Sequence, residues 1–200
     1  VPRLACTATA DERTRQEIVA NLRLKEGKIF ATGFDRPNIR YTISDSGEGR
    51  ERLWQFISNE HPEDAGIVYC LSRDKVEKTA AWLNKKGRTA LPYHAGLDAG
   101  TRQRHQERFL LEEGLVMVAT IAFGMGIDKP DVRFVAHVGV PKSIEAYYQE
   151  IGRAGRDGAP AETLTLFGPD DIRLRRAQID EGLAPPERRM ADPRGIEVRH

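Results

Sequence analysis

Short apolar runs alternate with amphipathic segments along most of the chain. The runs at residues 67–71 and 115–121 are almost continuously apolar, which is typical of strands buried on both faces. The segments between such runs repeat apolar residues every three or four positions and therefore predict helices. Because near-continuous strands separated by helices indicate a parallel sheet covered on both sides, we predict an α/β fold of three layers.

The pattern also places the individual elements. Strands are expected at residues 3–9, 67–71, 89–93, 115–121, 132–138 and 162–167, with extended chain at residues 28–45. Helices are expected at residues 51–60, 74–86, 101–113, 143–151 and 170–181, and a further helix follows a capping box formed by Thr9 and Glu12. The main α/β unit therefore covers residues 31–182. Residues 183–200 are rich in Arg and poor in apolar side chains, which predicts a linker or the start of a further segment.

Composition and charge narrow the class of protein. The chain has 200 residues, with 31 Lys and Arg, 30 Asp and Glu, and a formal net charge of +1. This balance excludes a polybasic tail protein but is compatible with a local basic patch that binds nucleic acid. No run approaches the ~18 apolar residues of a membrane span and no signal peptide opens the sequence, so secretion is not expected. Because the first residue is Val rather than Met, we expect this chain to be part of a longer protein.

Two strand-end loops carry polar residues that suit a phosphate or a structural role. Ligands of an open parallel sheet bind at the carboxyl ends of its strands. Ser72 and Arg73 follow one strand and open a helix, where hydroxyls and free amides suit a phosphate; an N-cap serine beside a solvated arginine explains them equally well. His94 follows another strand, and a lone histidine is more often a structural hydrogen-bond partner than a ligand. Cys6 and Cys70 are too few for a four-ligand zinc site, so we predict no metal site.

A third loop follows the most apolar strand and contains Thr120, Gly124, Gly126 and Asp128. Its glycines would let the backbone approach a ligand closely. The Thr120 hydroxyl suits a phosphate, and the Asp128 carboxylate suits a sugar hydroxyl. The alternative explanation is an ordinary turn, because turns need glycine too.

A fourth segment places Gln149, Arg153 and Arg156 among three glycines at a helix end. Arginine presents a rigid fork of donors that matches phosphate oxygens. A solvated helix terminus would explain one arginine, but not the glycines that free both from a packed helix. The sequence contains no P-loop pattern and no acidic cluster after a strand that would hold magnesium. We therefore interpret the arginines as half of a composite nucleotide site.

In their order and spacing, these loops resemble the second motor domain of a superfamily-two helicase, and more narrowly that of the RecQ family of DNA helicases. The matching segments are residues 4–10 (motif III), 34–39 (linker signature), 67–73 (motif IV), 119–133 (motif V) and 147–158 (motif VI). Gln149 and Glu150 stand where DEAD-box RNA helicases have a His-Arg pair, which disfavours an RNA helicase or a chromatin translocase. The resemblance covers residues 4–176.

The resemblance implies a RecA-like lobe of the P-loop NTPase type, in which ATP lies between two lobes. It implies that the first lobe holds most contacts to ATP and Mg²⁺. Arg156 is expected as the arginine finger on the γ-phosphate, Arg153 as a second phosphate or lobe-coupling contact, and Gln149 as a polar sensor. Gly126 and Asp128 are expected beside the nucleotide, with Asp128 on the ribose side.

The resemblance also implies the partners and the activity. Single-stranded DNA crosses the tops of both lobes in such motors, so its expected contacts are Ser72, Arg73, His94 and Thr120. The implied activity is 3′–5′ unwinding of DNA in repair and recombination, in the bacterial cytoplasm at the nucleoid or in the nucleus. This chain is not expected to hydrolyse ATP unaided.

The resemblance further assigns the ends of the chain. Residues 1–30 would be a remnant of the first lobe with the linker, and Zn²⁺ would bind only in a family segment downstream of this chain. The alternative function is a non-catalytic nucleic-acid-binding module that keeps the helicase fold. A phosphate-binding loop and an acidic strand end upstream would favour the motor over this module.

Overall fold

The computed structural model describes residues 3–7, 10, 12–24, 27–30, 36–45, 47, 49–124 and 127–180. The chain divides into two units, Val1–Arg36 and Pro37–His200. The segment predicted as a linker at residues 183–200 lies outside the described residues.

The described residues of the first unit form one helix, α1 (Glu12–Asn21), and none of its residues is buried. Ion pairs along its surface join Arg13 to Glu17 at 3.2 Å and Arg15 to Glu12 at 2.7 Å. The strand predicted at residues 3–9 is wrong for residues 3–7, which have no regular structure. A strand needs a neighbour for its backbone hydrogen bonds, and the described part of this unit contains no other strand. Thr9 of the predicted capping box lies outside the described residues.

The second unit is built on a six-stranded parallel sheet, which confirms the predicted α/β class. Its strands are β1 (Ile39–Asp45), β2 (Gly66–Cys70), β3 (Ala90–Tyr93), β4 (Val116–Ala119), β5 (Phe134–Val138) and β6 (Ala161–Phe167). They lie in the order β1-β6-β5-β2-β4-β3, and every neighbouring pair is parallel. The carboxyl ends of all six strands therefore share one edge of the sheet, which we call the strand-end edge.

The helices of this unit fall close to their predicted positions. They are α2 (Gly49–Gln55), α3 (Arg73–Lys85), α4 (Ala99–Leu111), α5 (Ile144–Ile151) and α6 (Pro169–Asp180). A π-helical turn, Phe56–Glu60, follows α2, so the predicted helix at residues 51–60 is only partly α-helical. Ser72 caps α3 by accepting a hydrogen bond from the Lys75 backbone N–H, and α3 stops before Gly87, whose φ of +90° suits glycine.

The core forms on both faces of the sheet, as near-continuous apolar strands require. Successive residues of each strand point to opposite faces, so Ile67 and Val68 enter different clusters. Phe109 of α4 and Ile151 of α5 pack in one cluster. Leu53 of α2 together with Val76 and Leu83 of α3 packs in the other. These are the three predicted layers.

Candidate functional site

The expected phosphate contacts after β2 lie exposed at the strand-end edge. Ser72 is the N-cap of α3, and its Oγ accepts the Lys75 backbone N–H at 3.2 Å. Because Oγ serves there as an acceptor, the hydroxyl hydrogen is still available to donate to an incoming oxygen. Arg73 begins α3 beside it and is also exposed. The helix N-terminus, the hydroxyl and the guanidinium together suit an anion.

Thr120 lies on the neighbouring loop, directly after β4. Its backbone N–H donates to the Tyr93 carbonyl at 3.2 Å, which ties the end of β4 to the end of β3. Its Oγ1 accepts a hydrogen bond from the Ala122 backbone N–H at 3.4 Å. Both residues follow strand ends, as the sequence predicted, and the pairing of β2 with β4 places Thr120 and Ser72 after adjacent strands of one edge.

His94 follows β3 and has a different environment, because only 6% of its surface is exposed. Its Nδ1 accepts the Gly96 backbone N–H at 3.1 Å. Nε2 therefore carries the ring hydrogen and donates to the Glu77 carboxylate at 2.8 Å. Both ring nitrogens are occupied within the chain, which fits a residue that holds the loop after β3 better than a direct phosphate ligand.

The two arginines expected beside a nucleotide lie just beyond α5. Arg156 donates from one Nη to the Asp128 carboxylate at 2.8 Å and to the Ile127 carbonyl at 3.2 Å. The Asp128 side chain is 84% exposed and that of Arg156 is 37% exposed. The structure thus joins directly two residues that were predicted to contact one nucleotide. Such an exposed pair can exchange partners at small cost.

Arg153 is more enclosed than Arg156 and lies against the loop after β4. A Cβ placed on Gly124 would come within 2.7 Å of its Nη2, so this approach requires glycine at position 124. Burial raises the pKa of the nearby Tyr69 phenol, and the positive charge of Arg153 opposes that shift. The Tyr69 hydroxyl donates to the Phe123 carbonyl at 3.0 Å, which fixes the loop on which Gly124 lies.

The two remaining residues predicted beside the nucleotide are Gln149 and Gly126. Gln149 is exposed near the end of α5, one turn before Arg153. Gly126 lies outside the described residues.

The structure contains a buried polar pair between the sheet and α5 that was not predicted from the sequence. His137 of β5 and Glu150 of α5 lie 2.8 Å apart from Nε2 to Oε2, and the His137 ring stacks on Tyr69 with centroids 5.4 Å apart. The signal for it was a histidine inside an otherwise apolar strand. A cavity of about 400 Å³ opens beside the pair at the strand-end edge, with Thr120 and Lys142 in its lining.

Over the described residues, no three His, Cys, Asp or Glu side chains are grouped so that they could hold a metal ion. Among the described helices, none has both the length and the apolar character needed to cross a membrane.

Several known proteins whose sequences are similar to this chain are helicases. Residues 48–158 match the family described as the helicase conserved C-terminal domain. The ATP-dependent DNA helicase RecQ of Haemophilus influenzae is 46% identical over 189 residues, which are 94% of this chain and 30% of that protein. The RecQ-like DNA helicase BLM of Xenopus laevis is 44% identical over 180 residues, or 88% of this chain and 13% of that protein. The chain therefore spans less than a third of the length of these relatives.

A solved structure of similar fold comes from a DEAD-box protein of Methanococcus jannaschii. It has a TM-score of 0.62 and 23% sequence identity, with 86% of this chain and 47% of that chain covered. At this identity the likeness concerns the fold, which is that of a RecA-like helicase lobe as the sequence predicted.

Proposed function

Because the chain belongs to the helicase conserved C-terminal domain family, in its RecQ branch, we propose that it supplies the second motor lobe of an ATP-dependent DNA helicase. The observation that carries this proposal is the placement of Arg153 and Arg156 on one loop, with Arg156 paired to Asp128 at 2.8 Å. Two guanidinium groups and a sugar-hydroxyl acceptor are the groups that a nucleoside triphosphate needs on one side.

The residues of this lobe fit the phosphate side of ATP but supply only part of a site. Arginine donors match phosphate oxygens, and Asp128 is exposed enough to accept a ribose hydroxyl. The sequence has no P-loop pattern, and the described residues include no cluster suited to a metal. We therefore assign Mg²⁺ and most phosphate contacts to a partner lobe of the same protein. On its own this chain would leave ATP intact.

In the proposed mechanism Arg156 is the arginine finger. It exchanges the Asp128 carboxylate for the γ-phosphate, so that one charge-assisted hydrogen bond replaces another. Its positive charge then opposes the negative charge that develops on the phosphoryl oxygens during transfer. Arg153, held against the loop after β4, is the second phosphate or lobe-coupling contact, and Gln149 is the polar sensor beside it.

The strand-end edge is the proposed path of single-stranded DNA. Ser72, Arg73 and Thr120 follow the paired strands β2 and β4 and suit contacts to the phosphate backbone. His94 takes part by holding the loop after β3. Opening and closing of the cleft with ATP turnover would move the strand 3′ to 5′, in DNA repair and recombination.

The first test is ATP hydrolysis by the protein that carries both lobes, with and without single-stranded DNA. Turnover should rise with DNA, and Arg156→Ala should lower it by ~10³-fold while binding of the strand is largely kept. Arg108→Ala is the matched control, because Arg108 is an exposed arginine paired to Glu112 at 2.6 Å on α4. Unchanged turnover in Arg156→Ala would contradict the finger assignment. DNA binding without any turnover would favour the alternative function, a non-catalytic nucleic-acid-binding module.

A further inference from the structure

The loop that carries Arg156 is held in place by contacts with other elements as well as by its own turn. We call residues 152–160 the finger loop. Gly155 has a φ of +54° and Gly158 a φ of +83°, values that other residues rarely adopt. Within the loop, the Gly158 backbone N–H donates to the Gly155 carbonyl at 3.0 Å and the Ala159 backbone N–H donates to the Asp157 carboxylate at 3.0 Å. These bonds shape the turn, and contacts with other elements fix where the turn lies.

The most specific of these contacts comes from Asn38, which immediately precedes β1. Its Nδ2 donates to the Gly155 carbonyl at 2.8 Å and to the Ala159 carbonyl at 2.9 Å. These two acceptors use both hydrogens of the amide and identify which side-chain atom is the nitrogen. The Asn38 carbonyl in turn accepts the Ala161 backbone N–H at 2.9 Å. One residue thus holds the finger loop on both sides of Arg156.

The fit between Asn38 and the finger loop is close. A Cβ at Gly155 would lie 2.6 Å from the Asn38 Nδ2 and 2.8 Å from the Ala159 carbonyl oxygen. A larger residue at position 155 would therefore displace the Asn38 amide or the backbone at Ala159. Arg133 also contacts this loop, because it is paired with Asp157 and donates to the Pro160 carbonyl at 3.2 Å. Asn38 and Arg133 therefore hold the base of the loop, and the Arg156 side chain extends from this base to Asp128.

We propose that Asn38 is a positioning residue for Arg156: its amide sets the point from which the finger reaches the γ-phosphate. This inference rests on the proposed function of Arg156. Displacement of a group that acts in the transition state by about 1 Å costs on the order of 10²-fold in rate. Asn38 does not touch the nucleotide in this scheme and acts only through the backbone on either side of the finger.

The test is Asn38→Ala in the protein that carries both lobes. We expect kcat for DNA-stimulated ATP hydrolysis to fall by ~10- to 100-fold with little change in KM, because the finger acts mainly in the transition state. In an Arg156→Ala background the same substitution should cause no further loss of kcat, since the group it positions is already gone.

Asn84→Ala is the matched control. Asn84 makes the same kind of double contact, from Nδ2 to the Ala80 carbonyl at 2.9 Å and the Ala90 carbonyl at 2.7 Å, but it joins α3 to β3. Both alanine variants should lower Tm by about 2–8 °C, whereas only Asn38→Ala should lower kcat. Should Asn38→Ala fail to fold, Asn38→Ser retains one donor and should give an intermediate loss.

Several outcomes would overturn the proposal, and each points to a different error. Turnover in Asn38→Ala or Asn38→Ser equal to that of Asn84→Ala, with Arg156→Ala still impaired, would leave Asn38 a purely structural residue. An equal further loss in the Arg156→Ala background would mean that Asn38 acts on something other than the finger. Unchanged turnover in Arg156→Ala itself would refute the proposed function, and the role of Asn38 with it.

Discussion

Glu150→Ala tests how firmly α5 is attached to the sheet beneath the candidate nucleotide residues. His137 is 2% exposed and Glu150 is 7% exposed, and their side chains meet at 2.8 Å. The other ring nitrogen of His137 has no hydrogen-bond partner within the described part of the chain. The ring lies between Tyr69 and Tyr147, with centroids at 5.4 and 5.5 Å. Removal of the carboxylate therefore leaves a buried imidazole without its partner.

The expected cost follows from that environment. Removal of one partner of a buried ion pair lowers the free energy of unfolding by about 3–5 kcal/mol. A buried neutral group left without a hydrogen bond lowers it by about 1–3 kcal/mol. We therefore expect Glu150→Ala to lower the free energy of unfolding by about 3 kcal/mol. For a chain of this size that loss lowers Tm by about 6–12 °C. Glu150→Gln keeps an acceptor oxygen at the same place, so it should lower the free energy of unfolding by less than about 1.5 kcal/mol.

Urea unfolding, followed by tryptophan fluorescence, measures this loss of free energy of unfolding for the second unit of the chain. Trp54 and Trp82 both pack on the α2 and α3 side of the sheet and so report on the second unit. Glu107→Ala, an exposed residue of α4, is the control and should stay within about 0.5 kcal/mol of the parent protein. A loss below about 1 kcal/mol in Glu150→Ala would show that His137 finds another partner. An equal loss in Glu150→Gln and Glu150→Ala would show that His137 requires the negative charge of the carboxylate, which both variants lack.

Two further predictions concern the capping of α4 and the strand-end edge. Hydrogen bonds from the Thr101 side chain and backbone N–H lower the pKa of Asp98, so its stabilising effect is present above the unfolded pKa and is lost as pH falls through the folded pKa. The urea midpoints of Asp98→Asn and the parent chain should therefore differ at pH 6 and converge only as pH falls well below the unfolded pKa of about 3.9, and a gap that does not narrow there would contradict this. Arg73→Ala should weaken binding of single-stranded DNA and reduce the slope of log K against log salt by about 0.7–1, measured by fluorescence anisotropy. An unchanged slope would remove Arg73 from the DNA path.

The sequence pattern was sufficient where burial alone determines structure. β2 and β4 are covered on both faces, so their residues are apolar without interruption and the strands could be predicted. Ser72 was predictable because an N-cap acts on residues only three positions away. Arg153 and Arg156 were predicted as nucleotide contacts through their spacing and through their resemblance to a known motif, and that role stays a prediction.

The pattern failed where structure depends on partners far away in the chain. Asn38 contacts Gly155 across 117 positions, and no periodicity relates two such residues. Residues 3–7 have the apolar character of a strand but lack a described neighbour to pair with, so local preference alone gave a wrong prediction. For His94, the choice between surface ligand and buried hydrogen-bond partner depends on Glu77, which belongs to a different element.

The loop after β4 has a mechanical consequence for the proposed motor. Thr120 at its start belongs to the proposed DNA path, whereas Asp128 near its end is paired with Arg156, the proposed finger. Only seven residues separate Thr120 from Asp128 in the sequence, so the two can lie at most about 29 Å apart. In the proposed motor, one short stretch of chain therefore joins the contact to DNA with the partner that Arg156 leaves when it turns to the γ-phosphate.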